Sequence, residues 1–197
     1  IKQDKLKMKF VKVQQKNFLE NVISNEDYKF LKTRLKNDGY EEWYFVVWFM
    51  TATGARVSEL LQIKAEHITA GHLDIYTKGG KIRRLYIPQI LKNEAVVWLR
   101  SKGISSGYIF LNRFGKRITT RGIAQQLKHF ADKYGLKREV VYPHSFRHRF
   151  AKNFLDRFND IALLADLMGH ESIETTRIYL RRTATEQRAI VDKVVTW

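Results

Sequence analysis

The chain has 197 residues, 44% of them hydrophobic, with no cysteine and 36 Lys+Arg against 20 Asp+Glu, a net charge of +16. These figures fit one globular domain, or one domain with a small appendage, and they exclude disulfides, thiolate chemistry and Cys-ligated metals. So much positive charge on a folded chain attracts a polyanion over long range, so nucleic acid is the expected partner, with a basic but non-binding protein or an anionic membrane surface as the plainer readings. No apolar run approaches the ~18–20 residues of a membrane span, and the N-terminal stretch IKQDKLKMKFVK lacks the apolar core of a secretory signal.

Residues 1–20 are Lys-rich with scattered apolar positions and read as a linker from an upstream part; a chain opening at Ile1 is expected to be a piece of a longer protein. Ser24 with Asp27 resembles a capping box. Tyr28, Leu31 and Leu35 then share a helical face that Gly39 ends. Residues 41–52 are apolar on nearly every side and predict a central buried helix. After Gly54 comes a short helix with Val57, Leu60 and Leu61. Leu73, Ile75 and Thr77, then Leu85 and Ile87, alternate with polar positions around Gly79-Gly80 and predict a hairpin. Residues 66–69 are expected to add a third strand. Leu91, Ala95, Trp98 and Leu99 suit one helix. Ile123, Leu127, Phe130 and Ala131 suit another, capped by Thr119 or Thr120. Pro143 suits the first turn of a third, striped by Phe146, Phe150 and Phe154. Asn159 is expected to cap a fourth, which ends at Gly169. The expected class is α+β, mainly helical, with a small antiparallel three-stranded sheet.

Four segments carry residue types suited to phosphate chemistry. In Thr53-Gly54-Ala55-Arg56-Val57-Ser58-Glu59-Leu60, the Arg56 guanidinium can fork onto two phosphate oxygens, and Glu59, three residues on, can orient it. Lys78 falls at the tip of the hairpin in KGGKIRR, where a mobile ammonium can reach a groove and give up a proton. In PHSFRHRF, His144 and Arg147 share a face and can hold one phosphate and shuttle a proton. His144 and His148, four apart, also have a zinc-pair spacing, but Ser145 stands where metalloproteases carry Glu, and no third ligand is evident. The last segment, LMGHESIETTRIY, puts His170 in a turn and Tyr179 on a short helix capped by Ser172. Taken singly, each has a plainer reading: a surface ion pair, a solvated basic hairpin, or a helix-turn-helix whose Tyr179 merely packs.

Together, in this order, the four segments resemble the tyrosine recombinase family of phage integrases, Xer-type resolvases and integrases of conjugative transposons. The resemblance covers roughly residues 21–185, and the C-terminal half is most similar to the conjugative-transposon integrases. It implies that Arg56 and Arg147 are the two catalytic arginines, Lys78 the hairpin lysine, and His144 the histidine before the second arginine. It further implies that His170 fills the position held by His or Trp, that Tyr179 is the nucleophile, and that Glu59 supports Arg56. The implied reaction is cleavage and rejoining of DNA through a 3′-phosphotyrosyl intermediate, without ATP, cofactor or metal. Implied partners are double-stranded DNA (element ends and target sites), three more copies in a synaptic tetramer, and a directionality factor. Lys81, Arg83, Arg84, Lys116, Arg117 and Arg121 are candidate DNA contacts. The expected location is the cytoplasm, at the nucleoid. An Xer-like resolvase, a type IB topoisomerase-like enzyme and a non-catalytic DNA-binding module remain as alternatives. The family's N-terminal core-binding domain is expected to precede this sequence, with residues 1–20 as the basic linker from it. In the tail, residues 186–197, Ile190, Val194 and Trp197 share one helical face, with Val191 and Val195 beside them. That helix packs either on its own domain or on a neighbouring protomer.

Overall fold

The computed structural model describes residues 21–76, 82–170, 173–180 and 184–194, with side chains of 184–187 excepted. Helix α1 (Asn25–Asn37) begins where Ser24 Oγ accepts the Asp27 N–H. Helix α2 (Glu41–Thr53) is the centre of the molecule: every residue from Tyr44 to Thr51 is buried. Its aromatic side chains interlock, and Phe45 stacks on Trp98 at 4.4 Å between ring centroids. Gly54 closes α2 in the left-handed conformation at φ 65°, and α3 (Val57–Leu60) follows at once.

The expected third strand is a helix instead, α4 (Ala65–Ala70). The buried positions there are Ala65 and Ile68, three apart, which is helical spacing. The His67 ring caps the helix by accepting the Lys64 N–H at 3.0 Å. Just before this helix, Lys64 forms an isolated antiparallel bridge with Tyr108. The sheet among the described residues therefore has two antiparallel strands, β1 (His72–Tyr76) and β2 (Ile82–Tyr86), with Leu73 opposite Leu85 and Ile75 opposite Arg83. The hairpin tip, including Lys78 and Lys81, lies outside the described residues.

Helix α5 (Gln89–Ser101) buries Leu91, Ala95, Trp98 and Leu99 as its spacing predicts. Helix α6 (Thr120–Lys133) starts at Thr119, whose hydroxyl accepts the Gly122 N–H. Helix α7 (Pro143–Arg157) carries Pro143 in its first turn. Helix α8 (Ile161–Met168) is capped by Asp160, not Asn159: its carboxylate accepts the Leu163 N–H at 2.8 Å. Helix α9 (Ile173–Arg177) runs into a 3₁₀ turn, Ile178–Leu180, that bears Tyr179, and α10 (Ala184–Val194) follows.

Two apolar clusters form. The larger surrounds α2, and the smaller joins Ala151, Leu155, Leu164 and Met168 to Phe150, Phe154, Tyr179 and Leu180. Helix α7 spans both, with Phe146 in the first and Ala151 and Leu155 in the second. No helix among the described residues is long and apolar enough to cross a membrane.

Candidate active site

The seam between the two clusters gathers the chemistry. Arg56 is the N-cap residue of α3, held by Glu59: its N–H donates to Glu59 Oε2 at 2.7 Å and its Nη1 to Oε1 at 2.8 Å. Arg147 projects from the second turn of α7 with a side chain only 6% exposed. Its Nη1 donates to Gly54 O and its Nη2 to Met168 O, both at 2.5 Å. The Arg56 Nη2 donates to Gly169 O at 3.1 Å. Arg83, from β2, donates through Nε and Nη2 to Leu167 O at 3.0 and 2.6 Å. Three guanidiniums thus engage three successive carbonyls, 167, 168 and 169, at the end of α8. A helix C-terminus carries partial negative charge and unpaired carbonyls, so it offsets the mutual repulsion of the arginines.

Glu59 supplies the remaining negative charge. It pairs with Arg83 at 2.5 Å and stands 4.0 Å from Arg147. Burial alone raises its carboxyl pKa, but hydrogen bonds from Arg83 and Arg56 outweigh that and hold it below the usual carboxylate range. Arg147 is pushed down to about 10, first by burial and then by Arg56 and Arg83.

The histidines divide their tasks. The His170 Nε2 accepts from Arg147 Nη2 at 3.3 Å, since arginine only donates; Nδ1 then carries the proton and donates to Thr176 Oγ1 at 2.7 Å. Burial, then Arg147, lowers His170 to about 4. His144 stands with much of its ring open to solvent beside Arg147 and contacts neither Tyr179 nor Arg147 by hydrogen bond; desolvation of its inner side, then Arg147 and Arg56, lowers its pKa. The ring that meets Tyr179 is His148: its Nδ1 hydrogen-bonds the phenol oxygen, with ring centroids 5.6 Å apart. Burial raises the Tyr179 phenol to about 12 against the opposing charge of Arg147. Burial, then His144 and Arg147, lowers His148 to about 4. The shared proton therefore rests on oxygen, and Nδ1 accepts.

The structure thus brings Arg56, Glu59, Arg147, His170 and Tyr179 together, and Lys78 lies outside the described residues, as does the expected cap Ser172. His148 was missed in the sequence because its spacing to His144 suggested only a metal pair. Among the described residues no group of three or more His, Asp or Glu forms a metal-ligand cluster. Arg83 is a correction: it was expected to contact DNA, but its side chain is 4% exposed and turned into the protein. Inward and outward residues alternate along β2, so Arg83 faces in while Arg84 faces out, where it forks onto Asp74 at 2.7 and 2.8 Å. Lys116, Arg117 and Arg121 are exposed on the loop before α6 and its first turn, with Arg117 over the Tyr108 ring at 4.7 Å.

Residues 19–186 match the Phage integrase family. The chain belongs to this family. It is 37% identical over 154 residues to the tyrosine recombinase XerA of Pyrococcus furiosus, an overlap of 75% of this chain and 53% of that protein. It is 32% identical over 149 residues to the tyrosine recombinase XerC of Pseudomonas entomophila, covering 72% and 48%. The chain spans about half the length of these curated relatives. Among solved structures, it resembles XerA recombinase with a TM-score of 0.73 at 23% identity over 89% of this chain and 65% of that one. It also resembles the Tn1549 transposon integrase in complex with transposon right end DNA, with a TM-score of 0.70 at 17% identity over 89% and 66%. At these identities the structural likeness is one of fold, and the fold of this integrase-family chain is that of a tyrosine recombinase catalytic domain.

Proposed function

We propose that this chain is the catalytic unit of a site-specific DNA recombinase serving a mobile element, with Tyr179 as nucleophile. The observation that carries the reading is the meeting of the Tyr179 phenol with His148, beside the Arg56–Arg147–His170 cluster. The Tyr179 oxygen attacks a backbone phosphate while its proton passes to His148 Nδ1. The P–O5′ bond breaks, a 3′-phosphotyrosyl bond forms, and Lys78 supplies the proton for the departing 5′-oxygen. Arg56 and Arg147 stabilise the charge that gathers on the non-bridging oxygens, as metal ions do in other phosphoryl transfers. An anionic phosphate favours protonated His170, which turns Nε2 into a donor. His144, exposed at the mouth, faces the same phosphate. Rejoining is the reverse step with a 5′-hydroxyl of a partner duplex.

Lys81, Arg84, Lys116, Arg117 and Arg121 are the candidate contacts to the DNA backbone, reinforced by an upstream core-binding domain. A synaptic tetramer and a directionality factor complete the machine, working in the cytoplasm at the nucleoid. The exposed Ile190, Val191 and Val194 of α10 are the surface through which one protomer holds the next. Identity to proteins named tyrosine recombinase XerA and XerC favours a second reading, an Xer-like resolvase.

The test is covalent capture from a nicked, partly randomised duplex library with the full-length protein. SDS-resistant adducts are expected for the wild type and not for Tyr179→Phe, which still binds by gel shift. Adducts surviving in Tyr179→Phe refute the nucleophile. The recovered sequence, mapped to element ends or to one chromosomal locus, separates the two readings.

A further inference from the structure

A buried arginine on a strand is costly unless its charge is matched, so Arg83 calls for a reason beyond packing. Its position supplies one. The inward face of the hairpin reads Leu73 and Ile75 on β1, and Leu85 and Arg83 on β2. Beyond the Ile75–Arg83 pair, the next residues, Tyr76 and Ile82, are both exposed at 77% and 59%. Arg83 is therefore the inward anchor of β2 nearest to residues 77–81, the segment that includes Lys78. What it grips is the phosphate clamp itself: Glu59, which holds Arg56, and Leu167 O, next to the carbonyls that hold Arg147 and Arg56. The chain leaves room for this grip at Gly169, where a Cβ would lie 2.3 Å from Arg83 Cδ and 2.8 Å from Nε.

The geometry points to Arg83 as a positioning residue for the leaving-group step: it fixes the Lys78 hairpin to the arginine clamp, so that protonation of the departing 5′-oxygen depends on it. This rests on Lys78 being the general acid of the proposed reaction. Arg83 touches no substrate and acts through the hairpin.

A 5′-bridging phosphorothiolate separates this role from a structural one. Its leaving group is a thiolate, and a thiol of ordinary pKa about 8.5 departs without a proton, where an oxygen comparable to water at about 15.7 does not. Single-turnover cleavage is measured for the full-length protein on a nicked duplex bearing the captured site, with oxygen or sulfur at the scissile position. Lys78→Ala serves as the reference. Arg83→Gln is expected to slow cleavage of the oxygen substrate on the order of a hundredfold, the scale of a lost general acid, and to cut the sulfur substrate at close to the wild-type rate. Arg83→Lys, which keeps the cation but not the planar fork, is expected to fall between and carries the test if the Gln variant does not fold.

Equal slowing on both substrates would place Arg83 in the clamp or the fold alone and overturn the inference, as would a wild-type rate on both. If Lys78→Ala itself is not restored by sulfur, the general-acid reading fails and takes the inference with it. If Lys78→Ala is restored and the Arg83 variants are not, only the inference fails.

Discussion

At the scale of single residues, the two histidines of α7 are separated by where the helix points them. His144 opens onto solvent beside Arg147, whereas His148, one turn further along, meets Tyr179. His148→Ala is expected to slow adduct formation on the order of a hundredfold, with gel-shift affinity unchanged and a smaller loss in His144→Ala. The reverse ranking in single-turnover cleavage would return the tyrosine's proton to His144. The same burial has a signature in stability. The unfolded chain titrates His148 near 6.5 and the folded one near 4, so the unfolded state takes up the proton first as pH falls. His148 therefore contributes stability above pH 6.5 that is lost as pH drops towards 4, and urea titrations should show His148→Gln with a flatter decline over that window. Sequence reasoning named Arg56, Glu59, Arg147, His170 and Tyr179 by their setting, but a one-residue difference in strand register divides Arg83 from Arg84, and charge alone does not reveal which is buried.

At the scale of elements, the site depends on helices ending where a glycine stands. Gly54 ends α2 at φ +65°, and its carbonyl receives Arg147. A Cβ there would lie 2.5 Å from the Phe150 ring. Gly54→Ala should cost about 1–2 kcal/mol for the left-handed backbone alone and more for the displaced ring, and it should also lower the cleavage rate. Gly103 has a similar φ of +68° with nothing within 4 Å of a Cβ. Gly103→Ala is therefore the control: thermal melts should show a loss of similar backbone origin, with cleavage of the captured site unimpaired. The helix ends were legible because glycine at a C-cap has a backbone cause. The stretch 66–69 was not, since four residues fit period 2 and period 3.6 almost equally well, and the burial of Ala65 with Ile68 settles it as helix.

At the scale of the whole molecule, charge is organised in two ways. Arg56, Arg83 and Arg147 turn inward against Glu59 and the end of α8, while Lys116, Arg117 and Arg121 stay exposed. The exposed set is free to displace counterions along the DNA backbone, away from the one phosphate that Arg56 and Arg147 are proposed to hold. Replacing Lys116 with Ala should lower the slope of log affinity against log salt by about 0.9, seen in fluorescence anisotropy across a salt series. Arg83→Gln should leave that slope in place. Equal slopes for wild type and Lys116→Ala would remove Lys116 from the interface.

The sequence by itself determined the class of fold, the chain's own positive charge and the order of the segments bearing Arg56, Arg147, His170 and Tyr179, because these follow from composition, period and backbone chemistry that act locally. Which side chains share a proton or a carbonyl depends on contacts between residues 31 apart, as for His148 and Tyr179, or 113 apart, as for Arg56 and Gly169. No local pattern encodes such pairs. Only packing the two apolar clusters against each other along α7 brings three arginines onto one helix end and buries one that the sequence offered to DNA.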